Sequence, residues 1–180
     1  MSLILQELDA EHLTDLNCCD YAFTVDSKLV LDAENGAIHY GIVNVPPYQK
    51  RYPLDELNPA AYIANPDKVI YLAYLDGQIA GQIRIGRYWN RYAYIEDIVV
   101  DPPFRRGGIG RALMEQAIEW AKAGGYPGIM LETQNINVAG CRLYESCGLK
   151  LGGFDTCLYQ AILPGTEEIA LYWYLIFRLE

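Results

Sequence analysis

The sequence predicts an α/β domain built on a mixed sheet. Three observations carry that prediction. Short apolar runs of strand length are separated by turn residues. Two later segments, Ile109–Ala123 and the stretch from Asn137 to Cys147, have helical spacing instead. The second half then reads strand, strand, strand, helix, strand, helix, strand, strand, an order that mixes hairpins with crossover helices.

Taken in order, Leu3–Leu8 has strand composition, and Asp9 is placed to cap a helix running to about Leu16. Tyr21–Val25 and Lys28–Leu31 read as strands. Asn35-Gly36 is a hairpin signal before the apolar run Ala37–Val45, which Pro46-Pro47 is expected to stop. Asn58–Ala64 has the make-up of a helical turn closed by Asn65-Pro66. Val69–Leu75 and Gln78–Arg87 are strands joined at Asp76-Gly77; Tyr92–Val100 is a third, broken by Asp101-Pro102-Pro103. The helix Ile109–Ala123 puts Ile109, Leu113, Ala117 and Trp120 on one stripe and ends at Gly124-Gly125. Gly128–Thr133 reads as a buried strand. Asn137 is a good N-cap for the next helix, and Gly148 its stop. Leu149–Ile162 and Ile169–Phe177 are two late strands around Pro164-Gly165.

Hydrophobic residues make up 52% of the 180 and charged residues 21%, the balance of a folded globular chain. No repeat, low-complexity tract or linker divides the chain, so one domain is expected over 1–180. No apolar run is long enough to span a membrane, and the first residues lack the order of a signal peptide. The ends, Met1-Ser2-Leu3 and Glu180, carry no weight. Cys18, Cys19, Cys141, Cys147 and Cys157 are odd in number and form no C-x-x-C pair, which favours reduced thiols in the cytoplasm. His12 and His39 stand far apart without a third ligand, so no metal site is expected.

The formal net charge is −9. Residues 1–60 hold ten acidic and three basic side chains, whereas residues 61–125 hold seven acidic and eight basic. An acidic surface repels a nucleic acid backbone and attracts cationic small molecules, while a local basic pocket can still hold one polyanion. The same acidity also serves solubility alone.

The stretch Ile98-Val99-Val100-Asp101-Pro102-Pro103-Phe104-Arg105-Arg106-Gly107-Gly108-Ile109-Gly110-Arg111 is a strand, a tight turn and a helix start. A helix start offers unpaired N–H groups and a positive dipole end, and so suits phosphate. Glycines let the backbone approach the ligand, and Arg105, Arg106 and Arg111 add charge for a pyrophosphate or 3′-phosphate. A glycine turn before a helix also occurs for purely structural reasons. Both the P-loop form and the G-x-G-x-x-G form are absent. What is present, Arg105-x-x-Gly108-x-Gly110 after Val100-Asp101-Pro102, resembles the acetyl-coenzyme A motif of GNAT acetyltransferases, [QR]-x-x-G-x-[GA].

A second segment, Asn137-Val138-Ala139-Gly140-Cys141-Arg142-Leu143-Tyr144-Glu145-Ser146-Cys147-Gly148-Leu149, is similar to the GNAT pattern N-x-x-A-x-x-x-Y-x-x-x-G-F. Asn137, Tyr144 and Gly148 match; Gly140 and Leu149 depart from the usual alanine and phenylalanine. The resemblance covers about Asp67 to Leu151 firmly. It implies a central mixed, mostly antiparallel sheet flanked by helices, with acetyl-CoA as cosubstrate and no metal. It implies cofactor contacts at Val99, Val100, Arg105, Arg106, Gly107, Gly108, Ile109, Gly110, Arg111, Asn137 and Tyr144. Asn137 would bond the pantetheine arm, and Tyr144 would sit beside the thioester sulfur. Most of the fifteen tyrosines must be core or surface, so only its place in the motif singles out Tyr144.

The chemistry implied is attack of a neutral amine on the thioester carbonyl, with backbone N–H groups near Val100 holding the oxyanion. An amine of pKa ~10.4 must lose its proton first, which calls for a base or relay. Glu96 and Asp97 precede the turn; adjacent strand residues face opposite ways, so one of them faces the substrate unless a bulge intervenes. Glu96 is favoured, with Asp97 the alternative; a salt bridge or simple cation binding is the competing reading. Val45–Tyr52, Phe154–Tyr159, Ala170–Leu175 and Tyr94–Ile98 together resemble streptothricin acetyltransferases, which acetylate the β-lysine part of a cationic antibiotic and so detoxify it. Most of those aromatics are also expected to be sheet core. Acetylation of another amine (a polyamine, an amino acid or a protein amino group) and a non-catalytic coenzyme A-binding module stay open. The partner implied is a small-molecule amine, with no nucleic acid or membrane and with room for a homodimer.

Overall fold

Asp76-Gly77 and the apolar runs either side of it form the hairpin that organises the first of two compact units. The computed structural model describes residues 2–177; Met1 and Glu180 lie outside the described residues. The first unit comprises the chain up to Tyr21, Tyr52–Ile129 and the end from Ile176; the second comprises Ala22–Arg51 and Met130–Leu175.

In the first unit, β1 (Leu3–Glu7), β4 (Lys68–Leu75), β5 (Gln78–Arg87) and β6 (Ala93–Val100) lie in the order β1-β4-β5-β6, each pair antiparallel. The helix α1 (Ile109–Ala123) packs on one face of β4, β5 and β6. Its buried stripe is Ile109, Leu113, Met114, Ala117 and Ala121. Trp120 falls beside the stripe and stacks on Tyr126. The opposite face carries a second cluster of Leu8, Tyr62, Ile70 and Leu72, with Leu16 and Leu57 against it. Each such aliphatic side chain contributes about 1.5–3 kcal/mol by leaving water.

The helix expected after Asp9 does not form; a 3-10 turn at Leu13–Asp15 stands in its place. Asp9 does cap, accepting the N–H groups of Glu11 and His12 on Oδ1, but it closes only a tight turn. Leu16 is packed and Leu13 is exposed, so no apolar stripe supports further turns.

In the second unit, β2 (Phe23–Glu34) and β3 (Ala37–Lys50) form a two-stranded ribbon turning at Asn35-Gly36. The two short strands expected before the hairpin are one strand. Pro46-Pro47 does not end β3, because the register jumps from Ser27–Asn44 to Val25–Tyr48. The prolines fall in that bulge, where no ladder N–H is required. The ribbon is tied to the end of β7 (Gly128–Gln134) by Leu29 N–H to Asn135 O at 2.9 Å and Asn135 Nδ2 to Leu29 O at 3.1 Å. The strands β7, β9 (Ala170–Ile176) and β8 (Lys150–Asp155) are neighbours in that order, β8 and β9 antiparallel, and α2 (Val138–Ser146) follows β7. The strand expected to reach Ile162 stops at Asp155, whose Oδ1 takes the N–H groups of Cys157 and Leu158 and turns the chain. The fold is thus of the expected class, a predominantly antiparallel sheet with helices packed on it.

Candidate active site: a phosphate-receptive turn and a bulged acidic strand

After Val100 the chain makes a 3-10 turn at Pro102–Phe104, passes through Arg106 at φ 65° and Gly108 at φ 87°, and enters α1. Gly108 is the N-cap in the left-handed region, and no side chain caps the helix. The N–H of Ala112 makes the first helical bond, to Gly108 O at 3.0 Å. The amides of Ile109, Gly110 and Arg111 therefore precede the ladder, at the positive end of a fifteen-residue helix. The position a Cβ of Gly108 would take is open, with nothing within 4 Å. Arg106 and Arg111 are exposed beside it. Arg105 is turned back: its Nε donates to Val100 O at 2.8 Å and its Nη2 to Asp20 O at 3.2 Å.

Glu96 and Asp97 do not face opposite ways. Asp97 pairs with Arg84 and Ile95 with Ile85, so Glu96 is the extra residue of a β-bulge. The bulge puts both carboxylates on the face that carries Gln82 and Arg84, away from α1. Asp97 Oδ2 accepts from Tyr21 Oη at 2.7 Å and lies 3.0 Å from Gln82 Nε2. Glu96 accepts a hydrogen bond from Tyr62 Oη, and its Oε2 lies 3.1 Å from Arg84 Nε, an ion pair without hydrogen-bond alignment. Burial and then the adjacent carboxylate raise the phenol pKa values of both Tyr21 and Tyr62. Gly86 makes room for this cluster: a Cβ there would run into Glu96 Oε1.

The second motif lies in the other unit. Asn137 is the N-cap of α2; its Oδ1 accepts Gly140 N–H at 3.1 Å and its Nδ2 donates to Thr133 Oγ1 at 3.0 Å. Tyr144 is buried on α2, its ring 6.4 Å from that of Trp173. Sequence reasoning missed Glu132 on β7. Burial pushes its carboxyl up to about 7, and the Tyr159 hydroxyl bonds it. The only sequence signal was a carboxylate inside a strand of otherwise buried composition. Among the described residues no group of three or more His, Cys, Asp or Glu side chains is arranged to hold a metal, and no two cysteines are joined in a disulfide.

The two motifs of the sequence thus fall on an uncapped helix start after a bulged strand and on a capped helix with a buried tyrosine. Residues 38–149 match the acetyltransferase (GNAT) family. The chain belongs to that family. It is 38% identical to streptothricin acetyltransferase A of Bacillus subtilis (strain 168) over 167 residues, which are 92% of this chain and 95% of the relative. It is also 38% identical to a streptothricin acetyltransferase of Escherichia coli, over 73% of this chain and 72% of that one. Among solved structures, a Bacillus anthracis str. Ames protein described as a streptothricin acetyltransferase, in complex with acetyl coenzyme A, superposes with TM-score 0.92. It is 46% identical, over 98% of this chain and 100% of that one. Nourseothricin acetyltransferase superposes with TM-score 0.81 at 31% identity, over 98% of this chain and 99% of that one.

Proposed function

We propose that this acetyltransferase moves the acetyl group of acetyl-CoA to a primary amine of streptothricin and so detoxifies the antibiotic. The observation that carries the reading is the likeness to streptothricin acetyltransferases along nearly the whole chain. The residues fit acetyl-CoA: open space at Gly108, the leading amides of α1, and Arg106 and Arg111 suit its phosphates. Gly107 gives the backbone its close approach. The backbone of Val99 and Val100 is assigned to the thioester, and Asn137, the N-cap of α2, to the pantetheine arm.

In the transfer the amine nitrogen forms a bond to the acetyl carbon and the C–S bond breaks. Tyr144 is assigned to the leaving thiolate, which it stabilises by hydrogen bonding or protonates. Glu96 and Asp97 hold the cationic acceptor. Sequence reasoning favours Glu96 as base, but its carboxylate is engaged by Tyr62 and Arg84. A second reading assigns the base to Glu132, whose raised pKa suits proton acceptance near neutral pH. Because the family match runs through both units, the reading treats 1–180 as one catalytic domain. It further carries a cytoplasmic enzyme, alone or as a homodimer, with no metal, nucleic acid or membrane. Expression in a streptothricin-sensitive bacterium tests it: the chain is expected to confer resistance, and Tyr144→Phe to remove most of it. A host that stays sensitive while making folded protein contradicts the antibiotic reading.

A further inference from the structure

Residues Asn17–Tyr21 form no helix or strand, yet side chains of β5, β6 and the turn hold them at Asn17, Asp20 and Tyr21. Gln82 Oε1 accepts Asn17 N–H at 2.8 Å, and its Nε2 lies 2.9 Å from both Asn17 Oδ1 and Tyr21 Oη. Asp97 takes the Tyr21 hydroxyl at 2.7 Å. Asp101 Oδ1 takes Asp20 N–H at 2.7 Å, and Arg105 donates to Asp20 O at 3.2 Å while its Nε holds Val100 O at 2.8 Å. Cys19, between these anchors, is buried. Backbone groups of an irregular segment need such partners when water is excluded. Here the partners come from the acidic face of β6 and from the turn that follows it.

We propose that Arg105 is a positioning residue for the acceptor amine rather than a phosphate ligand. Its guanidinium bridges the last carbonyl of β6 and the carbonyl of Asp20, and with Asp101, Asp97 and Gln82 it clamps Asn17–Tyr21 as a wall over the acidic face of β5 and β6. Tyr21 then fixes the Asp97 carboxylate that meets the acceptor. The planar fork of an arginine can hold two carbonyls at once, which a lysine does not reproduce. The inference rests on the reading of Glu96 and Asp97 as the acceptor side.

The test compares Arg105→Gln and Arg105→Lys with the wild type in three measurements: hydrogen exchange at the amides of Asn17 and Asp20 in the ligand-free protein, calorimetric Kd for acetyl-CoA, and KM and kcat for streptothricin. Arg105→Gln is expected to speed exchange at both amides and to raise KM for streptothricin by about tenfold, with Kd for acetyl-CoA within about twofold of wild type. Arg105→Lys should fall between. Tyr21→Phe, which leaves the guanidinium in place, should also raise KM for streptothricin. A Kd for acetyl-CoA that rises tenfold makes Arg105 a phosphate ligand and overturns the proposal, as does unchanged exchange in Arg105→Gln or an unchanged KM in Tyr21→Phe. Failure of the transfer reading shows differently: the wild type then acetylates no amine, whatever stands at position 105.

Discussion

Glu96, Asp97 and Glu132 are three carboxylates on strands, and their neighbours give them different work. Glu96 lies against Arg84 and Tyr62, and Asp97 against Tyr21 and Gln82, so both carboxyl groups are held in fixed orientation. Glu132 is half-buried, and its desolvation pushes the carboxyl up to about 7. As base it must be ionised, so kcat/KM should climb as pH rises through about 7, on top of the slower gain from free amine toward pH ~10. Glu132→Gln is expected to abolish that step and lower kcat, whereas Glu96→Gln should raise the acceptor KM more than it lowers kcat. A pH–rate profile of each variant decides; retention of the step in Glu132→Gln removes Glu132 from the chemistry. The sign of the stability effect follows from the same raised pKa. Below the unfolded value of 4.5 its stabilising effect is fully present, and it is lost as pH rises through about 7. Glu132→Gln should therefore raise Tm at pH 8 relative to wild type and leave it little changed near pH 4.5. In the proposed scheme Tyr144 serves the leaving group instead of the amine. Tyr144→Phe should lower kcat by roughly ten- to a thousandfold with little change in cofactor affinity, read from steady-state kinetics and calorimetry.

The bulge at Glu96 shows where sequence reading reaches its limit. The helix Ile109–Ala123 and the strand Gln78–Arg87 were legible to the residue, because each has an apolar period and a turn or glycine at its ends. That Glu96 and Asp97 share a face was not legible, since alternation is the default and an added residue leaves no mark in composition. The run of β3 through Pro46-Pro47 was hidden for the same reason. The glycine turn opening α1 was readable, but the engagement of Arg105 with Asp20 was not, because the two are far apart in sequence. The turn makes its own prediction. Aspartate tolerates the left-handed region better than most residues and is a favourable N-cap, so Gly108→Asp should fold. It places a carboxylate in the open space assigned to the pyrophosphate, and calorimetry should show acetyl-CoA affinity falling by at least about tenfold, a loss of roughly 1.4 kcal/mol. Unchanged affinity would remove the phosphates from this turn.

At the scale of the whole molecule, the net charge of −9 and the acidic first third favour a cationic acceptor over an anionic one. Exposed charges are screened by salt, so KM for streptothricin should rise as ionic strength goes from about 0.05 to about 0.5 M, and a KM independent of salt would exclude long-range attraction of the acceptor. The same acids favour the charged form of the amine and so oppose its activation unless a base accepts the proton, which is why the antibiotic reading and the base belong to one scheme. The measurement that bears most directly on that scheme is mass spectrometry of streptothricin, spermidine, free lysine and a lysine peptide, each incubated with the protein and acetyl-CoA. The predicted result is one added acetyl group on streptothricin, formed faster than on any of the other three. Acetylation of another amine with streptothricin left unmodified would contradict it.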